Sequence, residues 1–146
     1  MNHAHPRFAL VACCAGVLLA ALLPLTAHAV DLTVEVKGVG VEKGSVMVAL
    51  YKQTDTWMRK PSMVQMQVGK KEGVSLMFKD LADGEYAISL FVDENGNGKL
   101  DSNAIGIPLE PFAFSNDAMG NFGPPSFAQA KFVVGKTSNA ITIHLK

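Results

Sequence analysis

"EYAISLFVDENGNGKLD", residues 85–101, joins the two signals that decide how this chain is read. Its first half alternates. Tyr86, Ile88, Leu90 and Val92 fall on one side of an extended strand, and Glu85, Ala87, Ser89 and Phe91 fall on the other. Its second half carries oxygen-bearing side chains at alternate positions and then a glycine. Asp83-Gly84 just before it is turn chemistry of the kind that opens a hairpin.

The same period recurs outward in both directions. "LTVEVKG" sets Leu32, Val34 and Val36 against Thr33, Glu35 and Lys37. "GSVMVALY" sets Val46, Val48 and Leu50 against a second face that is itself fairly apolar, which marks a central strand. "VSLMFKD", "AKFVVG" and "AITIHLK" complete the clear strands, and "MVQMQV" is a further candidate. Between them stand "GVEKG", "ADGE", "GNG" and "GKTSN", which are turn compositions. About seven short strands at this spacing predict an all-β fold, an antiparallel β-sandwich of immunoglobulin-like or transthyretin-like type. "TDTWMRK" is the one helical candidate, a single turn capped by Thr54 or Asp55.

The first 29 residues read differently. Arg7 precedes an apolar run at 8–25, and Ala27 and Ala29 supply an A-x-A site, so residues 1–29 are expected to be a secretory signal peptide. A retained membrane anchor and a lipobox at 10–13 are the competing readings. Pro24 and the A-x-A site favour cleavage over the first, and the short apolar run before Cys13 disfavours the second. The remaining chain, 30–146, is long enough for one domain with one core. It is expected to be periplasmic or secreted, and not membrane-spanning. Both cysteines, Cys13 and Cys14, fall in the leader, so the exported chain has no thiol nucleophile, disulfide or cysteine-ligated zinc. Losing Arg7 shifts the formal charge from +0 to −1. No basic patch of the kind nucleic acid requires is present.

Residues 93–101 resemble the front of a calcium loop. Calcium takes six to eight oxygens from a flexible loop, and a glycine permits the sharp turn. Asp93, Asn95 and Asn97 occupy the first, third and fifth positions, Gly98 the sixth, the Lys99 carbonyl the seventh and Asp101 the ninth. The twelfth position is Ala104, where a bidentate glutamate is needed. Completion would fall to Asn103, Glu110, a carbonyl or water. Calcium is thus the one cofactor the sequence points to, and a weak one. The alternative is a metal-free turn in which Asn and Asp side chains bind the backbone ahead of them.

Residues 105–130 break the alternation. Four prolines and four phenylalanines, Phe112, Phe114, Phe122 and Phe127, fall there without a period. Such a segment either folds back to cover one end of the sandwich or forms a binding surface for a small molecule or protein. No catalytic residue is assigned. His144, the one histidine outside the leader, alternates outward, and no G-x-S-x-G or H-E-x-x-H is present. Paired carboxylates, Asp93 with Asp101 or Glu110 with Asp117, are the only basis for a hydrolase, and they require a shared groove. Trp57 and Tyr51 are expected in the core or at its rim.

"GEYA", "DENGNGKLD", "GIPLE", "FSN" and "PSFAQA", in this order, resemble the bacterial domain of unknown function 2141 family. Ala113 stands where that family usually has glycine. The resemblance implies an exported β-sandwich akin to transthyretin-like or carboxypeptidase-regulatory-like modules. It implies no activity.

Overall fold

The computed structural model describes residue 1 and residues 29–40, 44–136 and 140–145. Apart from Met1 and Ala29, the expected leader lies outside the described residues. The chain forms β1 (Ala29–Lys37), β2 (Ser45–Lys52), β3 (Met63–Val68), β4 (Val74–Ala82), β5 (Gly84–Asp93), β6 (Phe112–Phe114), a 3-10 turn (Ser115–Asp117), α1 (Phe127–Ala130), β7 (Phe132–Val134) and β8 (Ala140–His144). The alternation signal finds every strand but β6, and "MVQMQV" is one of them. β6 lies in the 105–130 segment expected to be irregular, where three residues are too few to show a period.

Two sheets form. The smaller has the order β4-β1-β8. The larger has the order β3-β2-β5-β6, with β7 also on β5. They pack with the alternating faces inward. Leu32, Val34 and Val36 of β1, Val46, Val48 and Leu50 of β2, Phe78 of β4, and Ile88, Leu90 and Val92 of β5 form one buried cluster. Removing these side chains from water is the main stabilising term of the sandwich. Tyr86 joins the cluster and donates its hydroxyl to the Ala82 carbonyl at 2.9 Å. Burial pushes its pKa up.

Three expectations need correction. Asp83-Gly84 does not make a hairpin. β4 pairs with β1 and β5 pairs with β2, so the turn carries the chain from one layer to the other. Turn residues specify a sharp reversal, not whether the next strand joins the same sheet. β8 runs parallel to β1, with Val34 beside Ile141 and Val36 beside Ile143. A parallel neighbour needs a long connection, and here nearly the whole domain supplies it. Finally, "TDTWMRK" forms turns closed by Arg59 and Lys60 N–H on the Thr56 carbonyl, not a helix. The short helix is at Phe127–Ala130, where a capping box joins Ser126 and Gln129.

Candidate functional site

The outer face of the large sheet carries the unusual feature. Residues paired across strands share a face, and the register sets Val64, Ala49, Ser89 and Phe114 in one row. Met66, Met47, Phe91 and Phe112 form the next row. An antiparallel sheet with one face on the core ordinarily presents polar side chains on the other. This one presents Met, Ala, Phe and Val.

The Phe/Pro segment covers part of that face. Phe114, Ala87 and Ala130 form a second, smaller buried cluster, joined by Trp57, Phe112, Ala118 and Phe127. Trp57 lies 4.8 Å from Tyr51 edge-on and 5.8 Å from Phe127, and its indole N–H donates to the Pro125 carbonyl at 2.8 Å. Tyr51 is buried, so both residues do the core and rim work expected of them. Ser115 is fully buried. Its hydroxyl accepts the Ile88 N–H at 2.8 Å and donates to the Ala130 carbonyl. Asn116 adds a bond to the Lys131 carbonyl at 2.8 Å. "FSN" is thus a staple that ties β5, β6 and α1 together. Ala113 pairs with Leu90 in ordinary extended backbone, so the strand does not need a glycine there.

The cover is incomplete. Two adjoining cavities open on this face, of about 300 and 650 Å³. The smaller is floored by Met47, Ala49, Ser89 and Phe91. The larger lies under residues 102–124. Met58, Leu100, Phe112 and Phe114 line both, so the two make one groove. Neither lining contains a carboxylate, a histidine, a lysine or an arginine, and Tyr51 is the one phenol, in the smaller cavity. Met58 and Phe122 hold φ of 62° and 57°, a left-handed backbone that costs a bulky residue strain. Both show their apolar side chains to the groove.

Of the aromatic residues singled out from sequence, Phe112 and Phe114 line the groove and Phe122 stands at its rim. Phe127 lines neither cavity and packs on Trp57 instead. Sequence reading missed Met47, Met58, Phe91 and Leu100. The apolar second face of "GSVMVALY" was the available signal, but it read as burial within a central strand.

The loop at 93–101 forms one wall. Asp93 is 3% exposed and is used by the backbone. Its Oδ1 accepts the N–H groups of Gly96 and Asn97 at 2.7 and 3.1 Å, and its Oδ2 accepts that of Gly98 at 2.8 Å. Gly98 has φ +73°, the sharp turn its position required. Asn95 and Asn97 donate side-chain N–H to the Asp101 carboxylate. The Lys99 N–H donates to Asn97 Oδ1 at 2.8 Å. Asp93, Asn95, Asn97 and Asp101 are therefore joined through one hydrogen-bonded turn, and each has protein partners. No group of three or more His, Cys, Asp or Glu suited to a metal occurs among the described residues. Glu110, buried, is a clamp: Oε1 accepts the Glu94 N–H at 3.0 Å and Oε2 the Asp101 N–H at 2.9 Å. It closes the loop at both ends. Asp117 instead meets His144, accepting its backbone N–H at 2.9 Å and lying 3.0 Å from Nδ1. The proposed carboxylate pairs thus have other duties, and no carboxylate lines the groove.

A family model described as an uncharacterized protein conserved in bacteria (DUF2141) matches residues 34–142. The chain belongs to this family. No curated protein and no solved structure matches it. For DUF2141 the match runs from the middle of β1 into β8 and includes the 93–101 loop and the Phe/Pro segment, so groove, loop and staple lie inside the family domain. Among the described residues no helix is long and apolar enough to cross a membrane.

Proposed function

We propose that this protein is an exported, non-catalytic module that binds an apolar ligand in the groove on the outer face of its large sheet. One observation carries the reading. The outer face of β2 and β5 is apolar, yet it is neither sealed by the Phe/Pro segment nor replaced by polar side chains. A walled apolar groove of this size is the usual form of a small-molecule site. Unguarded apolar surface on a soluble fold is otherwise a liability. Apart from the Tyr51 phenol, the lining side chains carry no acid or base, which favours holding a ligand over transforming it. The test is saturable binding of an environment-sensitive naphthalene dye to the folded protein, with Phe112→Ala and Leu100→Ala weakening it. No saturable binding, or binding unchanged by both substitutions, overturns the reading.

A second reading concerns the wall. Asp93, Asn95, Asn97 and Asp101 hold their oxygens in one turn, and we propose that calcium, with the Lys99 carbonyl, takes over the bonds Asn95 and Asn97 now give Asp101. With two carboxylates the expected Kd is roughly 10⁻⁴–10⁻³ M. The ion would stiffen the groove by mass action. Thermal unfolding in chelator, calcium and magnesium tests this. A calcium-specific rise that disappears in the Asp93→Ala, Asp101→Ala double variant supports it, and an equal midpoint in all three overturns it.

A further inference from the structure

Among the described residues the sandwich has four sheet edges, and three of them are guarded. Unpaired N–H and C=O groups along an edge are a template for another strand, and proteins blunt them with short strands, charges, irregular pairing or a cover. β6 and β7 are three residues each. β8 is capped where the His144 N–H meets the Asp117 carboxylate. β4 carries Lys79 and Asp80, and its pairing with β1 shifts register between Val30 and Leu32.

Among the described residues β3 has none of these devices, and its one cross-layer tie is the long bond from the Gln65 side-chain amide to the Met77 carbonyl of β4 at 3.5 Å. It is six residues long, "MVQMQV", with no charge, no proline and no glycine. It lies at the end of the large sheet. Its side chains are exposed, Val64 at 52%, Met66 at 64% and Val68 at 66%.

The hydrogen bonding fixes what the edge offers. The Gly69 N–H donates to the Gly44 carbonyl at 3.0 Å, so in this antiparallel pair the odd-numbered residues of β3 turn their backbone groups to β2. The even-numbered residues, Val64, Met66 and Val68, turn theirs to the open edge. These three are symmetric about Met66. A second copy laid antiparallel on a two-fold axis at Met66 sets Met66 against Met66, Val64 against Val68, and Gln65 against Gln67. Every outward backbone group of β3 then gains a partner. Opposed residues also stay on the same face, as pleating requires. Because β3 is uncharged, no charge meets its own copy across the axis, which is the condition a self-pairing strand must satisfy.

We propose that β3 is a self-pairing edge through which two copies of this chain join their large sheets into one continuous sheet, with Met66 on the two-fold axis. The interface is isologous, the commonest form of closed assembly. Val64 lines the groove, so the two grooves open on the same side of the joined sheet.

The experiment is sedimentation of the protein across a micromolar range, purified after expression of the whole chain, with Met66→Lys beside it. Two copies are expected for the natural sequence and one for Met66→Lys, which sets lysine against lysine. Met66 is exposed, so the variant is expected to keep a single cooperative thermal transition, which confirms that it still folds, with a midpoint that no longer depends on protein concentration. The register is read by oxidation after Cys13 and Cys14 are replaced with serine. Met66→Cys is expected to cross-link two copies, because opposed residues in a hydrogen-bonded pair lie about 5.5 Å apart, within disulfide reach. Gln65→Cys is expected not to. A single copy throughout the range overturns the proposal. So does a two-copy assembly that survives Met66→Lys, or cross-linking at Gln65 and not at Met66.

Discussion

The two faces of the large sheet are built from the same strands but held in different ways. The inner face packs Val46, Val48 and Leu50 of β2 and Ile88, Leu90 and Val92 of β5 against the other sheet, at 2% exposure or less. The outer face carries Met47, Ala49 and Phe91 at intermediate exposure, beneath a segment stapled by Ser115, Asn116 and Trp57. The first is packed tightly, and such packing specifies a single structure. The second has unbranched methionines and a gap, which leaves its side chains room to rearrange. One face of the sheet therefore stabilises the fold, and the other is the face on which we propose that a ligand binds.

Substitutions separate the two faces. Ile88→Ala on the inner face should cost about 2–5 kcal/mol, read by denaturant unfolding. The exposed Met66→Ala on the outer face should stay within about 0.5 kcal/mol. Equal losses would break the comparison. Ser115→Ala is intermediate. It strands the Ile88 N–H and the Ala130 carbonyl and should cost about 1–3 kcal/mol. If the staple holds the groove open, the same variant also weakens dye binding. Glu110→Gln replaces an acceptor of two backbone N–H groups by one that can serve only one of them well. A loss of about 1–3 kcal/mol is expected. Hydrogen exchange should quicken at Glu94 and Asp101 before it does in β5.

The smallest effect concerns the turn beside Trp57. The Ser62 hydroxyl and then the Lys52 N–H hold Asp55 below its ordinary carboxylate pKa. A depressed carboxyl stabilises the fold above its ordinary value of 3.8, and that contribution is lost as pH falls through the lowered folded value. Asp55 is only partly buried, at the surface, so solvent screening keeps the effect small. Asp55→Asn should be slightly less stable than the natural chain near neutral pH, and the difference should vanish in acid. A difference that grows in acid would mean the hydrogen bond is not the cause.

The sequence alone determined every strand but β6, their inward faces and the sharp turn at Gly98, because period-two alternation and turn chemistry are local properties of neighbouring residues. It also located the Phe/Pro segment and the five motifs of the family. It brought Asp93, Asn95, Asn97 and Asp101 together on paper, and the structure joins them in one turn. Which strands pair was not local. Asp83-Gly84 reads the same whether the chain stays in a sheet or crosses to the other, and β8 reaches β1 only after the rest of the domain has folded between them. The groove was hidden for a related reason. Met47, Met58, Leu100 and Phe112 come from four separate stretches, and only the closure of the Phe/Pro segment over the large sheet makes them neighbours. Glu110 changed from a candidate ligand to a clamp because its partners, Glu94 and Asp101, are brought to it by that same closure.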